Sequence, residues 1–230
     1  MTGAKSWRIA AENTADLMGK FETLGITIPD RMRPKDQFAE EVYCLRRYLF
    51  PVANAGLLEF PLRVIKRDPP DFVFAWRDGR NTGLEVTKAT SQGFEADLTR
   101  FHRRQRTKNY VSDPATGTML LSELGWVGNA PETEWTAYIL TAIADKLNDL
   151  VSYPVPESDL LIYDNTPLPA PDLKTVADAF RLQFEKQALS DKQARSFRRV
   201  SVIRDPWLIH DIARAPRILR YDPIWDRQPV

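Results

Sequence analysis

The stretch Pro69–Phe74 (PPDFVF), followed shortly by Gly83–Lys88 (GLEVTK), decides how this chain is interpreted. It is predicted to form two short strands joined by a polar turn at Arg77–Asn81, which offers glycine and asparagine for tight backbone geometry. An antiparallel pairing can bring Asp71, near the start of the first strand, close to Glu85, inside the second. Two carboxylates that meet on a sheet repel each other, so their proximity requires an explanation. A hard divalent cation supplies one, because Mg²⁺ prefers one or two carboxylates plus water and phosphate oxygens.

A Pro-Asp pair ending at Asp71, a gap of hairpin length and then Glu85 in a strand resemble the metal motif of the PD-(D/E)xK nuclease superfamily. The resemblance covers roughly residues 36–203, but only a handful of positions match the motif specifically. The chain departs from the family pattern at Thr87, where the family has lysine. Lys88 does not replace that lysine, because successive side chains of a strand point to opposite faces. The missing ammonium therefore has to come from elsewhere in the chain.

Lys146 is the best replacement for the missing lysine. The clearest predicted helix, Glu134–Tyr153, has a broad apolar face, and Lys146 falls inside it. A lysine on a buried stripe is costly unless it reaches water or pairs with an acid. Some branches of the resembled superfamily carry this lysine on a following helix. The alternative is a lysine near a helix end whose ammonium simply reaches solvent.

Glu41 is a candidate third acid. A helix is predicted over Lys35–Phe50, and Glu41 falls at the edge of its buried stripe, whereas Glu40 faces nearly away from it. In the resembled family the first core helix often supplies an acidic residue to the metal site. The alternative is a boundary glutamate on a solvated flank. The predicted stripe consists of Phe38, Val42, Leu45 and Leu49.

The densest basic cluster, Arg100–Tyr110, lies in a long segment, 89–131, that we interpret as a basic insertion or lid. The cluster has no acidic residue and carries aromatic residues at both ends. Basic side chains that meet phosphates, with an aromatic ring available for stacking, are typical of nucleic-acid contact, although a solvated helix face is the alternative. The candidate phosphate-binding residues are Arg100, Arg103, Arg104, Arg106 and Lys108.

The order of elements predicts an α/β fold with a mixed central sheet flanked by helices on both faces, a three-layer sandwich. This order agrees with the restriction-endonuclease-like core that the resemblance implies. We divide the chain into an accessory helix and connector (1–34), the nuclease-like core (35–203) and a C-terminal extension (204–230). The remaining predicted elements are helices over Ala10–Leu24 and Asp172–Leu189, with Asp172 as N-cap, and strands over Leu57–Ile65, Asp159–Tyr163 and Arg199–Ile203.

The amino-acid composition excludes several classes of protein and of metal site. The chain has 230 residues, 43% hydrophobic and 27% charged, which is ordinary for one globular domain. A net charge of +1 means that any nucleic-acid contact must come from a local patch. One cysteine, Cys44, excludes an internal disulfide framework, and two histidines, His102 and His210, supply a transition-metal site poorly. No apolar run approaches a membrane span and the start lacks a signal-peptide core, so we expect a cytoplasmic protein without membrane contact.

The resemblance implies a metal-dependent phosphodiesterase, endonuclease-like, that acts on DNA. Asp71 and Glu85 would hold Mg²⁺ or Mn²⁺ with the Val86 carbonyl, Glu41 would complete the site, and Lys146 would assist. The first alternative is a catalytically inactive module of the same fold that binds nucleic acid or a protein partner. The second is that the two acids have only structural roles. Cleavage of both strands of a duplex would suit a homodimer.

Overall fold

The computed structural model of the protein describes residues 7–24, 37–90, 131–147, 149, 152–164, 166, 172–190 and 197–222, without the side chains of 131 and 183–190. In these ranges the chain forms four helices and eight strands. In chain order they are β1 (Arg8–Ala11), α1 (Thr14–Thr23), α2 (Gln37–Asn54), β2 (Leu62–Lys66), β3 (Phe72–Trp76), β4 (Asn81–Ala89), α3 (Pro131–Leu147), β5 (Ser158–Asp164), α4 (Leu173–Ser190), β6 (Val200–Arg204), β7 (Trp207–His210) and β8 (Arg217–Arg220).

The eight strands form one mixed sheet whose spatial order follows the sequence. β1 to β4 pair antiparallel, β4 to β6 pair parallel, and β6 to β8 pair antiparallel again. The predicted mixed α/β class is therefore confirmed. β5 is central, and its residues 158–162 are all buried, including the apolar run Leu160–Ile162 that predicted a strand covered on both faces.

Two hydrophobic cores contain the buried apolar side chains, and alternate strand residues contribute to different cores. The first core combines α1 and α2 with residues such as Phe72 and Leu84. The second combines α3 and α4 with residues such as Val73 and Leu160. Because side chains of a strand alternate between faces, Asp71 and Glu85 belong to the side of the second core, where α3 packs.

The N-terminal segment differs from the prediction of a helix from about Ala10. Arg8–Ala11 is instead a strand, which pairs with β2 at one edge of the sheet. The helix begins at Thr14, because the Asn13 side chain accepts the Asp16 N–H at 3.0 Å and satisfies one free donor of the first turn.

Helix α2 runs past the predicted end at Phe50 to Asn54, although Pro51 lies within its last turn. Because proline has no backbone N–H, this turn forms with one helix hydrogen bond fewer. Of the predicted stripe, Val42, Leu45 and Leu49 are buried. Phe38 is not: it is 42% exposed and contacts the Trp7 ring edge-on in the first turn.

The remaining predicted boundaries shift by a few residues, with one larger change at the C-terminus. β2 starts at Leu62, not Leu57, and α3 ends at Leu147, not Tyr153. Asp172 caps α4 as predicted, accepting the Thr175 N–H at 3.1 Å. The segment after Arg204 supplies β7 and β8, which extend the sheet. None of the described helices is long and apolar enough to cross a bilayer.

Candidate active site

The register of β3 against β4, extended by one position, sets Asp71 opposite Glu85. The last paired residues are Phe72 and Leu84, and Asp71 lies just before β3. Directly opposed residues of an antiparallel pair share one face of the sheet. The turn between the strands is the predicted one, with Gly79 in the left-handed region at φ 86°. Both acids are buried, with 7% of Asp71 and 6% of Glu85 exposed.

Asp71 lies at the entrance to β3, where hydrogen bonds fix its carboxylate. Its Oδ2 accepts the Val86 N–H at 2.8 Å, and its Oδ1 lies 3.3 Å from the Lys66 ammonium. Burial, followed by the negative charge of Glu41, raises the pKa of Asp71 to about 6. The side chain is therefore a carboxylate held in surroundings that disfavour its charge.

Glu85 pairs with the lysine that the helical pattern singled out. Lys146 of α3 donates to Glu85 Oε1 at 2.6 Å, so the structure brings these two predicted site residues together. Lys88 points to the opposite face, as strand parity predicted, and pairs there with Glu40 at 2.6 Å. Burial, followed by the charge of Asp71, raises the pKa of Glu85. The negative charge of Asp71 thus disfavours the ionisation of Glu85.

Lys66 is the residue of this site that sequence reasoning missed. Its ammonium lies 2.6 Å from Glu41 Oε2 as well as 3.3 Å from Asp71 Oδ1, so it joins an acid of α2 to an acid of the sheet. Glu41 itself is buried, and its Oε1 accepts from Gln37. The structure therefore brings Glu41 into the site, but through Lys66.

The site so defined contains three carboxylates and two ammonium groups, one negative charge in excess. Among the described residues, no group of three or more His, Cys, Asp or Glu side chains is arranged to hold a metal ion. Mg²⁺ and Mn²⁺ require fewer, since one or two carboxylates with water and other oxygens suffice. The facing carboxylates of Asp71 and Glu85 are hard oxygen donors of the kind these ions prefer, so the donor set fits a divalent cation.

Two further predictions concern the basic cluster and Val86. The basic cluster Arg100–Tyr110 lies outside the described residues. Val86 is at the site through its backbone: its N–H binds Asp71, and the N–H and carbonyl of a strand residue face the same neighbour. The Val86 carbonyl therefore faces the side of the strand on which Asp71 lies.

The described residues offer no activated nucleophile elsewhere. Cys44 is buried in α2, and burial raises the pKa of its thiol to about 12, which keeps it protonated at neutral pH. His210 lies 3.3 Å from the Ser201 hydroxyl, but both are buried. Burial, followed by the charge of Arg199, lowers the pKa of His210 to about 4. These residues have the surroundings of core groups.

Gly83 provides the close packing that supports Asp71, and its replacement by alanine is expected to destabilise the protein by about 1–3 kcal/mol. An added Cβ would lie 2.7 Å from Ser158 Oγ and 2.8 Å from Cγ of Pro70, the residue before Asp71. Urea unfolding measures the loss. Gly19→Ala is the matched control: nothing lies within 4 Å of its Cβ position in α1, so alanine should stabilise by up to about 1 kcal/mol. Equal effects of the two substitutions would contradict this account of Gly83.

Comparison with protein-family models, with curated proteins and with solved structures finds no match for this chain. A functional proposal must therefore be argued from the geometry and chemistry of the site.

Proposed function

We propose that this protein is a metal-dependent phosphodiesterase that acts on DNA. Its sheet and two cores would form a restriction-endonuclease-like three-layer sandwich, with α1 and α2 on one face and α3 and α4 on the other. The observation that carries the proposal is the facing pair Asp71 and Glu85 with the Lys146 ammonium 2.6 Å from Glu85. Two acids and a lysine at one sheet position have the composition that phosphodiester cleavage requires.

The residues that would hold Mg²⁺ or Mn²⁺ are Asp71, Glu85 and the Val86 carbonyl. The bound ion would lower the pKa of a water molecule and neutralise charge on the scissile phosphate. The protein's own groups have separate roles. The Val86 N–H and Lys66 hold the two Asp71 oxygens in place. Lys146 supplies a fixed positive charge beside Glu85, which would stabilise the pentacovalent transition state or orient the attacking water.

Glu41 would act on the site through Lys66 and not as a direct ligand. Its Oε2 lies 2.6 Å from the Lys66 ammonium, so it fixes the position of that ammonium beside Asp71. DNA is the proposed substrate because of the basic cluster at 100–108, which would hold phosphates without reading sequence. A two-fold dimer would suit cleavage of both strands.

Calorimetric titration of Mn²⁺ tests the proposal without any assumption about the substrate. We expect about one site per chain in the wild type and affinity about 100-fold weaker in Asp71→Asn and in Glu85→Gln, because each removes one of two charged oxygen donors. Lys88→Ala is the control, since its ammonium pairs with Glu40 on the other face. Absence of Mn²⁺ binding by the folded wild type, with and without DNA, would refute the hydrolase proposal.

A specific observation favours the second candidate function, an inactive module of the same fold that binds nucleic acid or a protein. Asp71 and Glu85 each already have a lysine partner, Lys66 and Lys146, so both charges are compensated without a metal. The presence of Thr87 in place of the motif lysine also favours an inactive module. This candidate predicts DNA binding that is unchanged by Asp71→Asn, which a fluorescence anisotropy titration measures.

A further inference from the structure

Tyr153 contains a buried hydroxyl that makes no hydrogen bond to any described residue. The residue lies between α3 and β5 and is 5% exposed. A phenol O–H normally finds an acceptor when it is buried, because an unsatisfied polar group costs folding free energy. Phenylalanine would fill the same volume without that cost, so the hydroxyl needs an explanation other than packing.

The surroundings of the hydroxyl are those of the proposed metal site. Burial raises the pKa of Tyr153, and the negative charge of Glu85 is the next largest cause. Burial is the largest cause that raises the pKa of Glu85, while the Tyr153 hydroxyl acts on it in the opposite direction, as a nearby donor does. The phenol is thus a permanent donor beside a carboxylate whose Oε1 is held by Lys146.

We propose that Tyr153 is a positioning residue for Glu85: its hydroxyl donates to the Glu85 carboxylate when that side chain holds a divalent cation. This inference rests on the proposed function, because it assigns Glu85 as a ligand. Outer hydrogen bonds to a ligating carboxylate fix its orientation, and their removal typically weakens metal affinity by about 10–100-fold. A hydroxyl turns freely about its C–O axis, so the phenol can direct its proton at the carboxylate.

The experiment compares Tyr153→Phe with the wild type by Mn²⁺ calorimetry and by thermal unfolding of the metal-free protein. We expect Mn²⁺ affinity about tenfold weaker. We also expect the metal-free Tm to rise by about 2–4 °C, because an unsatisfied buried hydroxyl is removed. A purely structural tyrosine would not produce these opposite signs. Tyr138→Phe, a half-buried tyrosine of α3, is the matched control and should change neither quantity.

Three results would overturn the inference, and they are distinguishable. Unchanged Mn²⁺ affinity in Tyr153→Phe, with the wild type binding normally, would remove the positioning role and leave the proposed function intact. A lower metal-free Tm together with weaker binding would assign Tyr153 to the fold. No Mn²⁺ binding by the wild type would remove the proposed function and this inference with it.

Discussion

Replacing Lys146 by alanine is expected to lower the rate of DNA cleavage by about 10²–10³-fold, the usual loss when one preorganised donor to a developing negative charge is removed. The ammonium of Lys146 lies 2.6 Å from Glu85 Oε1 and its side chain is 27% exposed, so it is a partly desolvated charge beside the facing acids. Cleavage of supercoiled plasmid in the presence of Mn²⁺, followed as single-turnover kinetics, measures the effect.

The metal affinity of the same variant separates a catalytic loss from a structural one. Removal of a positive charge next to Glu85 should leave Mn²⁺ binding intact or make it tighter, because one competing cation is gone. A collapsed site would bind the ion more weakly. The expected combination is therefore slow cleavage with undiminished binding.

Lys88→Ala is the control for this experiment, because Lys88 matches Lys146 closely. It also pairs with a glutamate at 2.6 Å and is 32% exposed, but its partner is Glu40 on the opposite face of the sheet. Its removal should leave the cleavage rate unchanged. If Lys146→Ala cleaved DNA at the wild-type rate, or if Lys88→Ala were equally slow, Lys146 would have no role in the chemistry.

The juxtaposition of Lys146 and Glu85 could be predicted because each half of it depends on a local pattern. The position of Lys146 within an apolar face follows from residues within four positions of it in a helix. The faces of Glu85 and Lys88 follow from strand parity alone. The central position of β5 follows from the apolar run Leu160–Ile162 within Asp159–Tyr163. Such patterns hold wherever the element lies in the fold.

Lys66 could not be found in this way, because its role depends on contacts between distant segments. It meets Asp71 through the pairing of β2 with β3 and meets Glu41 through the packing of α2. In the sequence it is one lysine at the end of a strand, no different from Lys88. The strands β1, β7 and β8 were missed for a related reason: with four residues each, they are too short for a period of two to be counted.

The substitution Lys66→Met is expected to lower the free energy of unfolding by about 3–5 kcal/mol at pH 7.5, because it leaves two buried carboxylates without their shared cation. Methionine keeps an unbranched apolar side chain but removes the ammonium, including its position 5.1 Å from the centre of the Phe72 ring. Urea unfolding in the presence of a chelator measures the loss. Lys88→Met removes a more exposed pair with Glu40 and should cost about 1 kcal/mol or less.

The stability of the protein is expected to fall as the pH rises, and the pKa of Asp71 sets the pH range. Even with Lys66 in place, burial and then the charge of Glu41 raise the pKa of Asp71 from 3.8 to about 6. A carboxyl group whose pKa is higher in the folded state contributes stability that is complete below its ordinary pKa and is lost as the pH rises through the folded value. The metal-free wild type should therefore lose this contribution between pH 3.8 and about 6. The Lys66→Met variant should lose more of its free energy of unfolding, and over a wider pH range, because no ammonium opposes the repulsion between Asp71 and Glu41.

Mn²⁺ should restore much of the stability that Lys66→Met loses, because a divalent cation supplies the charge that the ammonium supplied. An ion at 100 times its dissociation constant stabilises the folded state by about 2.7 kcal/mol. The gain should be larger in Lys66→Met than in the wild type, where the ammonium competes for Asp71 Oδ1. If Lys66→Met were as stable as the wild type at pH 7.5, Glu41 and Asp71 would not both be ionised in the folded protein. If Mn²⁺ gave no extra stability to the variant, Asp71 would not be a ligand.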